Sequence, residues 1–402
     1  MEKKRLPVVP TYFHSLDAFR GIAAVIVVLY HWQVFFYPND VYAPGGEQNT
    51  SLPLYSVLSI FYTNGMVSVD IFFQLSGFIF FWLYADSVAS GKTDFRKFWI
   101  YRISRLYPLH LVTLVAVAIL QALMLQRVGH YLVMPYNDAY HFLLNLFFIQ
   151  SWGFEAGSNF NSPSWSVSVE MFLYILFFIL CKLKWHTNKA LLLLFIPAGA
   201  LMQHYGMLVG KGVFSFFLGA LLYYVYCYIL QRKNIRAYFR VITTVTIVLW
   251  TAVIISYYIY PFLQLAWMNN IGRFRPGLSP AQSADAYGTV RNLLFRVTVA
   301  PCSILFLVLL ETVKKPFHHR WSILGNCSYA IYLLHFPLQM ALVLVMYQLH
   351  VDRSLLLSPW TMIAFIGTVI LLSLIVYYYF EQPVQDKIRQ VTLSRRKGIL
   401  AS

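Results

Sequence analysis

Charge is what this chain lacks most. Only 11% of its 402 residues are Asp, Glu, Lys or Arg, against about 25% in an average soluble domain, which excludes an ordinary water-facing surface. Acidic residues are the scarcer sign, 15 against 31 Lys plus Arg, for a net charge of +16. Cysteine is sparse as well. Cys181, Cys227, Cys302 and Cys327 lie in or beside apolar stretches without metal-ligand spacing, so neither a disulfide framework nor a cysteine metal site is expected. Repeats of fixed period, low-complexity linkers and an appended soluble domain are all missing. The polar start, 1–15, lacks the short apolar region and small-residue cleavage site of a removable signal, so the first apolar stretch is expected to be a retained anchor.

Hydrophobicity fills the space that charge leaves: 59% of residues are apolar and the mean hydropathy is +0.61. A membrane crossing needs about 20 predominantly apolar residues. Ten stretches qualify, near 16–37, 66–85, 106–125, 165–183, 190–207, 212–230, 241–260, 293–313, 328–347 and 359–380. The expected fold is an all-α polytopic membrane protein of about ten transmembrane helices. The shorter apolar stretch 139–152 is expected to be a re-entrant or interfacial helix. An even number of crossings puts both termini on one side. With both taken as cytoplasmic, 23 Lys and Arg fall in inner segments and 7 in outer ones, the positive-inside bias. The excess charge thus reports topology, not nucleic-acid binding. The organisation reads as an N-terminal tail over 1–15, a membrane domain over 16–383 and a basic C-terminal tail over 384–402. Three longer polar excursions, 38–56, 126–164 and 261–292, fall on the expected outer side. The last carries Arg273, Phe274, Arg275, Pro276, Gly277 and Pro280 and reads as an irregular, turn-rich loop.

Against this apolar background, ionisable side chains inside the spans stand out. An Arg at a helix centre costs roughly 2.5–3.5 kcal/mol by insertion scales and is tolerated mainly for function. The first span holds both Arg20 and His31, about 16 Å apart along a helix: a cation near one face and a titratable imidazole deeper in. Further clusters follow. Val69, Asp70, Ile71, Phe72, Phe73, Gln74, Leu75, Ser76, Gly77 and Phe78 open span two. Arg102 and Arg105 precede Pro108 at span three. Pro163, Ser164, Trp165 and Ser166 lead to Glu170 and Tyr174 in span four. Ser328, Tyr329, Tyr332 and His335 share span nine, and Phe380, Glu381, Gln382 and Pro383 end span ten.

Asp17-x-x-Arg20 with its following His31, the Phe-Phe-x-Leu-Ser-Gly-Phe run, Arg-x-x-Arg, Trp-Ser-x-x-x-Glu, and the Tyr-x-x-x-Leu-His and Glu-x-Pro endings together resemble the acyltransferase 3 family. The resemblance covers roughly 15–383. It implies an integral enzyme of the cytoplasmic (inner) membrane, bacterial in type, that passes an acyl group from cytoplasmic acyl-CoA, usually acetyl-CoA, to a hydroxyl of an extracytoplasmic glycan. His31 matches the family's first-span histidine and Arg20 its partner. Arg102 and Arg105 match the paired arginines facing the CoA end, while Glu170 and Glu381 match recurring acidic positions. No C-terminal esterase-like domain follows, so the membrane part is expected to complete the transfer.

Chemistry supports these roles independently. A sugar hydroxyl needs a base, and histidine is the side chain best poised for that at neutral pH. Arginine grips phosphates bidentately while staying charged, and residues three apart share a helix face. The expected assignment is therefore His31 as general base with Arg20 and Glu170. Arg102, Arg105 and Ser76 are placed at the donor, and Trp165, Ser166, Tyr174, His335 and Glu381 at the acceptor. Plainer readings stand beside each. Arg102 and Arg105 double as topology determinants, and Arg20 as a snorkelling residue. Ser76 with Gly77 suits close helix approach, Trp165 suits an interfacial anchor, and His335 is a rival base. Glu170 is expected to orient His31 or a substrate hydroxyl. The adjacent His318 and His319 read as a solvated loop, and neither a metal nor a permanently bound cofactor is expected. The expected partners are acyl-CoA, the hydroxyl acceptor and the lipid bilayer; oligomeric state is not legible. A transporter using the same buried Arg, His and Glu groups is the second functional class, disfavoured by the absence of internal repeats.

Overall fold

The structure, a computed structural model, describes residues 10–42, 50–275, 277–314 and 317–399. The outermost parts of both expected tails, 1–9 and 400–402, lie outside these, as does Pro276 of the expected turn-rich loop. The described residues are predominantly helical and hold isolated β-bridges but no strand. The chain is a polytopic all-α membrane protein. Among the described residues eight helices are long and apolar enough to cross a bilayer, and nine if the pair α2 (Tyr55–Asn64) and α3 (Val67–Leu83), bent by 59°, counts as one span. The helix Lys189–His204 is apolar but has only 16 residues. These units coincide with the ten expected stretches.

Along the chain the bundle is built from α1 (His14–His31), α2 and α3, α4 (Phe95–Val128), α5 (Ala139–Leu146), α6 (Trp165–Lys182), α7 (Lys189–His204), α8 (Leu208–Leu230) and α9 (Ile235–Ile254). Then come α10 (Phe262–Phe274), α11 (Pro280–Leu294), α12 (Ala300–Val313), α13 (Ile323–Asn326), α14 (Ser328–Gln348), α15 (Pro359–Val376) and α16 (Gln382–Ile399). Helix α4 has 34 residues, about 50 Å at 1.5 Å per residue, well beyond a hydrocarbon core of about 30 Å. It starts where Asp94 accepts a hydrogen bond from the Lys97 backbone N–H at 2.7 Å. Arg102 and Arg105 therefore sit within this helix rather than in a loop before it.

One expectation fails in detail. The turn-rich reading of 261–292 is corrected to two helices, α10 and α11, with only a short turn between them. Ser279 caps α11 reciprocally with Gln282 ahead of a first-turn proline, which is a helix-start signal. The density of Pro and Gly around 276–280 masked it. The apolar stretch 139–152 is helical only as far as Leu146.

In a bilayer, helices associate mainly through close packing of small residues and polar contacts. Here α8 is the hub of such packing. A Cβ added to Gly77 on α3 would lie 1.9 Å from the Phe216 carbonyl oxygen of α8. One added to Gly219 would lie 2.0 Å from the Gln74 carbonyl oxygen of α3. The Ser76–Gly77 pair thus divides its work, Gly77 giving the close approach and Ser76 facing the interior. Beside this crossing Asp70 is fully buried, with Arg296 Nε at 2.9 Å, Lys211 Nζ at 3.5 Å and Ser215 Oγ at 2.8 Å. Lys211 and Arg296, two of the seven charges the sequence places in outer segments, form an intramolecular ion group in which a carboxylate from a distant helix takes them out of solvent.

A second ion group lies at the same end of the bundle, beyond the C-terminus of α1. The Asp40 carboxylate meets Arg353 Nη1 at 2.7 Å, His130 Nε2 at 3.0 Å and the Tyr347 hydroxyl at 2.9 Å. Burial raises its pKa, but the hydrogen bonds from Arg353 and His130 outweigh that and hold it below the usual carboxylate range. A carboxyl depressed in the folded state stabilises fully above its unfolded value, about pH 4, and loses that contribution as pH falls through the folded value. The melting temperature in detergent should therefore drop as pH is lowered below about 4, and Arg353→Met should both shrink that acid-side loss and cost about 1.5–3 kcal/mol at neutral pH. Gly77→Leu should lower the melting temperature sharply through the α3–α8 clash, whereas Gly288→Ala, with nothing near an added Cβ, should leave it unchanged; a fluorescence melt reads both.

Candidate active site

Helices α1 and α14 carry the site between them, and polar contacts fasten them at two levels. At the first, Arg20 pairs with Asp17 one turn earlier at 3.1 Å. It also donates to the Gly325 carbonyl at 2.9 Å and to Ser328 Oγ at 3.1 Å. Tyr12 donates to the other Asp17 oxygen. Glu311 accepts from the Ser15 backbone N–H at 2.5 Å, placing a carboxylate at the positive end of the α1 dipole. Near the far end of α1, His31 Nδ1 lies 3.1 Å from His335 Nε2, and Gln339 Nε2 donates to the His31 carbonyl at 2.8 Å.

Two cavities adjoin this helix pair. The deeper has a volume of about 120 Å³, the other about 410 Å³, and Arg20, Arg102, Arg105 and Ile79 belong to the walls of both. The larger cavity opens at the basic end of the bundle, where Asp17, Glu381, Gln385 and Arg389 complete it. Beyond the arginines the deeper cavity is walled by Ser76, Ser166, Glu170, Tyr174, Ser328 and Tyr332. Its far limit is Tyr332, whose hydroxyl is 2.8 Å from Ser166 Oγ. One helical turn further along α14 stands His335, 6.1 Å from Tyr332 between ring centroids.

The three arginines are held differently. Arg20 is locked by its neighbours, as above. Among the described residues the Arg102 guanidinium has no carboxylate within 4.0 Å; it lies 4.5–5.7 Å from the centres of the Tyr84, Phe80, Phe98 and Tyr174 rings, an aromatic box that favours a cation. Arg105 makes no ion pair within 4.0 Å among the described residues, although it lines both cavities. A guanidinium in this position is a ready partner for an anionic ligand.

Most expected site residues are brought together. Arg20, Arg102, Arg105, Ser76, Ser166, Glu170 and Tyr174 share the deeper cavity, and Glu381 lines the adjoining one, its buried Oε2 without a hydrogen bond. Glu170 does not orient His31. Its Oε1 accepts from Ser76 at 2.8 Å and from Tyr174 at 2.5 Å, because these residues stand across the α3–α6 contact whereas His31 belongs to α1. His31 and His335 pair with each other outside the lining of both cavities. His31 is partly exposed and His335 fully buried. Trp165 is also set apart, stacked under Lys211 at 5.6 Å and edge-on to Phe73. Gln339, Arg389 and the Tyr332–Ser166 contact escaped the sequence reading. Gln339 alone had a signal, lying one turn after His335 on the same helix face. Among the described residues no group of three or more His, Cys, Asp or Glu is arranged to hold a metal.

Comparison with known proteins supplies the frame for this geometry. The acyltransferase domain of the acyltransferase 3 family matches residues 13–378. The chain belongs to this family. It is 30% identical over 168 residues to an acyltransferase, MdmB, of Streptomyces mycarofaciens, an alignment covering 40% of this chain and 38% of that protein. It is 25% identical over 364 residues to the peptidoglycan O-acetyltransferase OatA of Listeria monocytogenes, covering 81% of this chain and 49% of that one. The chain thus spans about half the length, or less, of these curated relatives. No solved structure matches.

If Arg20 fastens the helix pair while Arg105 waits for a ligand, their removal has different signatures. Arg20→Leu, which leaves the Asp17 carboxylate with the Tyr12 hydroxyl but no cation, should cost about 3 kcal/mol of stability. Arg105→Leu should leave the detergent melting temperature near that of the parent.

Proposed function

We propose that this membrane acyltransferase transfers an acyl group, most simply acetyl, from cytoplasmic acyl-CoA to a hydroxyl of an extracytoplasmic glycan, with His31 as the general base. The observation that carries the reading is the line of polar groups across the bundle: a basic cavity, three arginines in a shared wall, a hydroxyl-lined chamber, then a histidine pair. Donor phosphates would meet Arg105 and the cavity-facing side of Arg102 at the basic end, which the charge bias puts in the cytoplasm of a cell with this protein in its inner membrane. Both termini would lie on that side. The glycan as acceptor class rests on the family resemblance and on the name of the Listeria relative.

In the reaction, His31 takes the hydroxyl proton as the acceptor oxygen bonds to the thioester carbon. The carbon–sulfur bond then breaks, and the CoA thiolate leaves and is protonated. The deeper cavity stops at Tyr332 and Ser166, so the acyl end of the donor must part their hydrogen bond to reach His31. Transfer in two steps through a covalent carrier is the runner-up; a neutral histidine with no acidic partner suits direct attack better.

A positioned base contributes about 10²- to 10⁴-fold. His31→Ala should reduce CoA-thiol release from acetyl-CoA by that much when purified protein is supplied with a surface-glycan extract of the producing cells. Glycans from cells carrying the parent should gain roughly 42 Da per site, one acetyl group, by mass spectrometry. Absence of thiol release from the parent, together with solute uptake into vesicles that His31→Ala blocks, would favour the transporter and overturn the proposal.

A further inference from the structure

Resting on that reading, we infer that His335 is a positioning residue that fixes which nitrogen of His31 is the base. The argument runs through the proton inventory of two rings. His335 Nδ1 lies 3.1 Å from the Ile331 carbonyl, and a carbonyl oxygen only accepts, so Nδ1 carries the hydrogen. A neutral imidazole has one ring proton, so His335 Nε2 presents a lone pair. Its neighbour at 3.1 Å, His31 Nδ1, is then the donor, and the proton of His31 resides on Nδ1. The basic lone pair of His31 is left on Nε2.

The surroundings enforce this state. The two rings meet edge to edge, their centroids 5.0 Å apart and their planes within 28°, as an in-plane N–H···N bond requires. His335 is fully buried, and the Gln339 amide holds the His31 carbonyl where α1 gives way to a tighter turn. The titratable groups facing the pair are Tyr30, edge-on to His31 at 5.2 Å, and Tyr332; the Val27 carbonyl, one turn earlier on α1, is a second acceptor beside the His31 ring. Among the described residues no carboxylate, Lys or Arg forms an ion pair with either ring. The orienting partner is thus a neutral imidazole where hydrolytic triads use a carboxylate. When His31 Nε2 takes the hydroxyl proton, the Nδ1–H bond to His335 becomes charge-assisted and strengthens, so His335 stabilises the state formed during transfer.

Replacing the acceptor nitrogen separates this role from packing. With acetyl-CoA and the same glycan extract, His335→Leu should lower kcat by about 10²-fold, the lower end of what a positioned base supplies, with the KM for acetyl-CoA unchanged. His335→Gln, whose amide oxygen accepts from His31 Nδ1, should recover kcat to within about tenfold of the parent. Detergent melts identify folded variants, and His335→Met replaces the Leu variant if that fails to fold. A folded Leu or Met variant with parental kcat, or a folded Gln variant as slow as they are, overturns the inference while a dead His31→Ala leaves the base intact. A fully active His31→Ala overturns the proposed function and this inference together.

Discussion

A half-buried guanidinium, that of Arg20, is the contact on which the arrangement depends. Inside a bilayer a cation must be paired and hydrogen-bonded, and Arg20 meets that demand by binding Asp17 of its own helix and the Gly325 carbonyl and Ser328 of the next structural unit. The same residue forms part of the wall shared by both cavities. Satisfying one costly charge therefore docks α1 on α14 and sets the boundary of the chamber at once. With that end fixed, the far end of α1 has little freedom, and His31 arrives against His335.

The three arginines show how one residue type serves different needs in low dielectric. A carboxylate neutralises Arg20, aromatic faces surround Arg102, and Arg105 is left with its charge available. Were all three paired, the wall would be structure alone; were none paired, the desolvation cost would be prohibitive. Glu170 belongs to the same economy. Its Tyr174 and Ser76 hydrogen bonds make it part of the hydroxyl-lined chamber, about one helical turn from the Tyr332–Ser166 contact that divides the chamber from the histidines.

Much of this was legible from the amino-acid order because it is local. The apolar stretches gave the ten helical units, Asp17 and Arg20 stand one turn apart, and Arg102 and Arg105 face the same cavity as their spacing implies. What stayed hidden depends on long-range encounter. Nothing in the sequence links Glu170 to Ser76 or Asp70 to Arg296, so the order alone offers His31 or a substrate hydroxyl as the partner of Glu170, and leaves Arg296 and Lys211 as outer charges without a named partner. Pro337 gives a subtler case. Lacking an N–H, it leaves the Leu333 carbonyl without its helical donor, and Asn161 supplies one at 3.1 Å. The vacancy was readable; its occupant was not. The helices α10 and α11 were missed because proline and glycine at their junction outweighed a capping box.

The claim at the centre is that donor and acceptor meet at His31, past Tyr332. The direct measurement is a structure of the protein in lipid with a non-transferable acyl-CoA analogue bound. The account predicts phosphates on Arg105 and Arg102, the Tyr332–Ser166 hydrogen bond parted, and the acyl carbon separated from His31 by the space of a single hydroxyl. An analogue whose acyl carbon rests in the chamber at Glu170, with Tyr332 still on Ser166 and no passage to His31, would contradict it.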